Sequence, residues 1–485
     1  MSDDDATARR LADRLARLVR IPTVTPDDGP LDQEDARVFA DLRALLTELY
    51  PCTFAAAEVD VVGRAGLLLR LAGTGVGTGR GATALGPVVL MAHQDVVPAP
   101  RGDAGEDWAG AGWSHEPFAG VVAEGDGDAA GELTVYGRGT LDDKGALLVT
   151  LEAVEDLLAE GWRPHADLWL LFGADEEREG PSAEAAVALL ADRGVTPALV
   201  VDEGGAVVTG AFPGLRRPMA AVGVAEKGVV TLEIAIDGDP RRAAHASTPP
   251  RRGVVPALGR ALDALERSPH PAVVDDVTVA MFDAVAPHVP PPLRWLLGRA
   301  GSLRAPLARV LPLLGGEIAA MVRTTTTATV LRGSSAPNVI ASHASAVVNM
   351  RVATSSTAAE ATAHVERVVR RAVGSTRWSR RGGPTATVRV LSASEPTPAS
   401  PLDDERWALV RGAVAHAYPD AVVAPYTMLA ASDARHVARI ATPIYRFSPL
   451  RMTAAQRSSI HGVDENVAAS SLVAGVRFYR HLLEG

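Results

Sequence analysis

Three short apolar runs, at residues 88–91, 167–172 and 198–201, alternate along the chain with helical patterns at 146–158 and 183–193. Unbroken apolar runs of this length are buried strands, and strands that alternate with helices build a largely parallel sheet with helices on both faces. The first part of the chain is therefore expected to be an α/β domain. Two more helices precede it. Leu11, Leu15, Leu18 and Val19 make a helical stripe over 7–19 that Ile21-Pro22-Thr23 ends, and the pattern recurs over 35–49.

The character changes after residue 226. Val230, Leu232, Ile234 and Ile236 alternate with more polar residues, the mark of a half-exposed strand. A helix over 254–265, a strand near 326–331, an alternating strand over 344–352, a helix over 357–373 and a strand over 385–391 follow. The order β-α-β-β-α-β is that of a ferredoxin-like sandwich. Pro396, Pro398 and Pro401 mark the return to the first domain, which closes with a helix at 405–417, a strand at 444–447 and a helix at 466–483. A chain of 485 residues exceeds what one core usually supports. The expected division is a catalytic domain from 1–226 and 394–485, with an inserted domain at 227–393. The glycine-rich stretch 73–86 lacks phosphate-loop order and reads as a surface loop. The leucine stripe of 290–314 reads either as packing on its own domain or as a partner surface, the first being the commoner case.

Composition removes several function classes. A net charge of −10 leaves no basic excess to neutralise phosphates, so neither nucleic acid nor a membrane is expected as a partner. Residues 1–20 carry Asp3, Asp4, Asp5 and five arginines but no apolar run, which fits neither a signal peptide nor an anchor. No stretch of about 18 apolar residues occurs. The single cysteine, Cys52, excludes an intrachain disulfide. A cytoplasmic location is the default expectation.

Five motifs carry chemistry, most of them at strand carboxyl ends. Met91-Ala92-His93-Gln94-Asp95 places His93 and Asp95 on one face of an extended chain. A metal-bound imidazole usually gives its second N–H to an acid, and His-x-Asp can satisfy that, although the pair can equally cap a strand. Gly137-Arg138-Gly139-Thr140-Leu141-Asp142-Asp143-Lys144-Gly145 leads into a helix, where acids are ordinary caps or, in Asp142, a metal bridge. In Ala174-Asp175-Glu176-Glu177 one glutamate can bind metal while its neighbour acts as a base; a solvated acidic loop is the plain alternative. Val201-Asp202-Glu203-Gly204 and Ile460-His461-Gly462-Val463-Asp464-Glu465 complete the set. Taken together they agree, because ligands bind at strand carboxyl ends in open α/β sheets. Two histidines and three carboxylates suit two zinc ions, whose charge they nearly balance with one hydroxide.

With these motifs the chain resembles the dinuclear zinc exopeptidases that include carboxypeptidase S, glutamate carboxypeptidase, aminoacylase and succinyl-diaminopimelate desuccinylase. The likeness runs from Ile21-Pro22-Thr23-Val24 to Glu465 and is strongest to the carboxypeptidase S and N-acyl-amino-acid hydrolase branch, through 137–145 and Tyr445-Arg446-Phe447-Ser448-Pro449-Leu450. The resemblance implies that His93, Asp142, Glu177, Asp202 and His461 hold two Zn2+, with Co2+ or Mn2+ able to substitute. Asp142 would be the bridge, followed by a cis peptide bond. Asp95 would orient His93 and Glu176 would be the general base. The inserted domain would be a lid or dimerisation domain. From it His245 would serve the oxyanion, and Asn338 and Arg351 the substrate's carboxylate. The planar fork of Arg351 suits such a group.

The implied activity is hydrolysis of the amide bond next to a free carboxylate in small peptides or N-acyl amino acids, with a homodimer formed through the lid. Two rivals stand beside it, a dinuclear zinc aminopeptidase and a non-catalytic metal- or peptide-binding protein. Glu176 beside a full ligand set disfavours the second. The chain departs from the pattern at Ala244-His245-Ala246-Ser247 and at Ala430-Ala431-Ser432-Asp433, where relatives usually carry glycines. Alanine enters positive φ less readily than glycine, so the shape of the second loop is the open question.

Overall fold

The computed structural model describes residues 3–26, 33–75, 80–125, 130–242, 245–249, 253–374, 383–441 and 443–485. Ala244 and part of the glycine-rich stretch lie outside them. The larger layer is a ten-stranded, mostly parallel sheet. At its centre Val88–His93 pairs in parallel with Leu168–Gly173 on one side and Leu199–Asp202 on the other, and Ile444–Arg446 lies parallel beyond. These strands are buried along their whole length, as their unbroken apolar runs require. Their carboxyl ends open on one edge, where three of the motifs follow.

Alternate residues serve opposite faces. Leu90 and Ala92 join a core with the helices Asp3–Val19, Lys144–Ala159, Glu405–Ala417 and Ala469–Glu484, while Val89 and Met91 meet Pro181–Asp192 and Ala434–Val437. No described helix is long and apolar enough to cross a membrane.

The second sheet has the order Thr325–Arg332, His343–Val352, Gly228–Asp237, Thr385–Ser394, all antiparallel. The helices Val254–Arg267 and Ala358–Gly374 cover one face, burying Val230, Leu232, Ile234 and Ile236. The other face carries Val229, Thr231, Asn349 and Arg351. Two of the connections between the sheets run side by side. Val229 pairs with Ser394, Thr397 N–H donates to the Glu226 carbonyl at 3.0 Å, and Glu226 N–H donates to Thr397 Oγ1 at 2.9 Å. Beneath them Arg446 Nε donates to the buried Glu226 carboxylate at 2.7 Å.

The structure corrects two expectations. Within 73–86, Ala82–Leu85 is a 3₁₀ turn whose Ala82 and Thr83 are buried, so the stretch is not all surface loop. The 290–314 stripe does pack, but on the large sheet: Leu297, Leu307 and Leu311 bury with Met219, Ala221, Val422 and Ala424. Short strands that lack a long apolar run went unread, among them Ala57–Val62, Leu133–Tyr136 and Asn466–Ala468 at the start of the last helical stretch.

Candidate metal centre

His93 ends the central strand and is buried. Its Nδ1 lies 2.9 Å from the carbonyl of Asp95 and 3.4 Å from the Asp95 carboxylate, so Asp95 fixes the ring from both groups. Its Nε2 faces Asp142 Oδ1 at 2.9 Å. Burial disfavours the charged ring, yet Asp142 and Asp95 outweigh it and hold the imidazole well above its ordinary pKa.

Asp142 sits where the loop 137–143 turns into the helix Lys144–Ala159, and the Asp142–Asp143 peptide bond is cis. Its second oxygen, Oδ2, lies 2.9 Å from His461 Nε2. One carboxylate thus presents an oxygen to each of two imidazoles. Glu465 holds this loop in place: its buried carboxylate accepts from Leu141 N–H at 2.8 Å, from Asp142 and Gly139 N–H at 3.1 Å each, and from Arg138 Nη1 at 2.6 Å.

Glu176 and Glu177 open a 3₁₀ turn immediately after the strand Leu168–Gly173. The Asp95 carboxylate accepts both their backbone N–H groups, at 3.1 and 3.2 Å, so the acid beside His93 also sets the turn that carries the glutamates. Glu177 Oε1 lies 3.0 Å from His461 Nε2. Ligand atoms of His93, Asp142 and Glu177 all lie within 4.8 Å of one another. His461 stands at φ 60, unusual for a residue with a side chain, and its loop is pinned where Asp464 accepts from Ser114 N–H at 2.7 Å. Its pKa is held up to about 10 by its hydrogen bonds to Asp142 and Glu177. Glu176 is raised well above a usual carboxyl by burial, with Asp433 and Glu177 adding to the effect.

Asp202 ends its strand, buried, and accepts Ala434 N–H at 2.9 Å; burial raises its pKa. It adjoins the centre but is not one of the three residues whose potential ligand atoms lie within 4.8 Å of one another. Asp433 is also buried and its carboxylate has no hydrogen bond among the described residues, its oxygens lying where side chains at Gly173 and Gly180 would stand. Ala430 and Ala431 are absent from the described residues of positive φ, so the alanines fit this loop without left-handed backbone.

A cavity of about 870 Å³ opens over the centre, lined by Glu176, Glu177 and His461 on one side and by Thr231, Asn349 and Arg351 on the other, with Arg435 at its wall. Arg351 makes no hydrogen bond or ion pair with any described residue. Burial, and then Arg435, lower its pKa. His245 and Asn338 are elsewhere. They meet each other at the far end of the inserted sheet, where His245 bridges to Val339 and Ala246 N–H donates to the Asn338 carbonyl at 2.9 Å. Both are exposed, and neither lines the cavity.

Sequence reasoning missed Glu465, Arg138 and Arg435. Glu465 and Arg138 did lie inside the second and fifth motifs, but only the fold shows that one carboxylate gathers three N–H groups of a distant loop.

Residues 89–485 match the family model described as Peptidase family M20/M25/M40. The chain is 29% identical over 483 residues to the "N-fatty-acyl-amino acid synthase/hydrolase PM20D1" of Homo sapiens, covering 98% of this chain and 87% of that protein. It is 28% identical over 478 residues to the "Probable carboxypeptidase S-like 2" of Dictyostelium discoideum, covering 98% and 84%. Human carnosine dipeptidase 1 has a similar fold, with a TM-score of 0.66 over 99% of this chain and 96% of that one at 15% identity.

Proposed function

The chain belongs to peptidase family M20/M25/M40, and on that premise we propose that it is a two-zinc hydrolase of N-acyl amino acids or small peptides that reads their free carboxylate. The observation that carries the reading is Asp142, with one oxygen toward His93 and the other toward His461. Imidazole nitrogen and carboxylate oxygen are the donors zinc takes, and their convergence on one small volume fits a metal centre. His93 and Asp202 would hold one ion, His461 and Glu177 the other, and Asp142 both. The chemistry such ions supply when bound is Lewis acidity, which brings the pKa of water toward neutrality and polarises a carbonyl.

The protein's own groups do the rest. Glu176 lines the cavity, and its raised pKa suits a carboxylate that takes a proton from the attacking water and returns it to the leaving amine. Arg351, without a partner of its own, offers a planar fork to the substrate's carboxylate. The inserted sheet and its two helices, within residues 227–393, form the lid in this reading. His245 and Asn338 lie at its far end, so they would complete the site of a second copy in a homodimer, where His245 donates to the developing oxyanion.

Substrate preference tests the reading. Zinc-loaded protein should cut an N-acyl amino acid and spare its C-terminal amide. Arg351→Ala should lower kcat/KM for the acid and narrow that preference, and Arg351→Lys should restore only part, because a point charge cannot replace the fork. Equal cleavage of acid and amide by the wild type would overturn it, as would active protein without transition metal.

A further inference from the structure

Between residues 284 and 316 the chain has no aspartate or glutamate and carries Arg294, Arg299, Arg304 and Arg309, in a protein whose net charge is −10. The overall acidity therefore conceals a local basic segment. The same segment also exposes large apolar side chains: Trp295 is 57% exposed, Val310 52%, Leu313 81% and Leu314 62%. Val310, Leu313 and Leu314 have the i, i+3, i+4 spacing of one helical face. The Arg299 guanidinium lies 4.8 Å from the centre of the Trp295 ring. Arg304 pairs with Asp276, but Arg294, Arg299 and Arg309 have no carboxylate partner among the described residues. Meanwhile Leu297, Leu307 and Leu311 are buried against the large sheet, so the exposed side chains stand on a fixed support.

We propose that this face docks on the surface of an anionic lipid bilayer. Tryptophan and leucine would enter the boundary between headgroups and acyl chains while the arginines meet the phosphates, the division of labour of an interfacial helix. The helices Pro291–Leu297 and Arg304–Val310 have seven residues each, too short to span. A second copy docking by two-fold symmetry would set the same arginines against one another. The site is not far away in the chain of contacts: Glu317, just past the segment, pairs with Arg457, four residues before His461.

The test is co-sedimentation of the whole protein with phosphatidylcholine vesicles, with and without phosphatidylglycerol, at low and high salt. Binding should need phosphatidylglycerol and weaken with salt. It should fall about five-fold for each of Arg299→Gln and Arg309→Gln, and roughly ten-fold or more for Leu313→Ser with Leu314→Ser. Turnover of a soluble substrate should not change in any of these variants. Three results would overturn the proposal: no binding to phosphatidylglycerol vesicles, binding untouched by the leucine pair, or self-association without vesicles that the leucine pair abolishes, which would assign the face to a second copy.

Discussion

The Glu465 carboxylate accepts the backbone N–H of Asp142 at 3.1 Å from 323 residues away. The same carboxylate is paired with Arg138, and both side chains are buried. Glu465 therefore positions Asp142, the acid proposed to bridge the two ions, through the backbone of its loop. Glu465→Gln should leave Arg138 uncompensated, at a cost of about 3–5 kcal/mol. It should also weaken zinc binding by about ten- to a hundred-fold, the scale on which such supporting groups act. Thermal unfolding and competitive zinc titration would read the two effects; unchanged zinc affinity would show that the loop holds itself.

The paired glutamates are separable by substitution. Glu176→Gln should keep the metals and lose about a hundred-fold or more in kcat. Glu177→Gln should lose metal instead, since Glu177 is the one facing His461. Zinc content measured beside kcat decides, and the opposite pattern would exchange their roles.

Metal binding should expel protons. Without metal, His461 is held up to about 10 and His93 is also raised well above its ordinary value. A raised imidazole pKa contributes stability that is full below the unfolded value near 6.5 and is lost as pH rises through about 10. Zinc needs the neutral rings, so its affinity should climb across the same range while the metal-free fold loses that contribution. Calorimetry at pH 7 in buffers of different ionisation heat should find about two protons released. No release would mean that the histidines are already neutral.

His245 offers a complementation test. His245→Ala and Glu176→Gln should each be nearly inactive alone. If His245 serves a partner's site, mixing and reassociating the two should restore turnover, because the mixed dimer holds one site with both residues intact. No recovery from a demonstrably mixed dimer would place His245 in its own site.

How much of this was legible depended on the range of the interaction. The central strands were readable because burial on both faces forces an unbroken apolar run, as in 167–172. The sandwich was readable because a half-buried strand must alternate, as in 229–236. The motifs at residues 93, 142, 177 and 461 were readable as ligand types, and the fold brings those four together. Short or edge strands such as Ala57–Val62 carry no such run, and their pairing is set by neighbours. The packing partner of the 290–314 stripe was hidden because periodicity shows that a face is buried but not what buries it. Whole-chain charge does not display the four arginines of the same stretch, since an average over 485 residues erases them.

The paired connections below Gly228 also set a lever. Rotation of the inserted sheet about them has its axis beside Val229, and Arg351 is the register partner of that residue. Its radius is therefore short. The strand Gly228–Asp237 then runs ten residues, about 30 Å, before the chain reaches the end that carries His245. A swing of about ten degrees would displace that tip by about 5 Å, the width of one strand spacing, and leave the guanidinium almost where it was. In the proposed reading, one small rotation would hold the substrate's carboxylate still on Arg351 while it delivers or withdraws His245 at the opposite end.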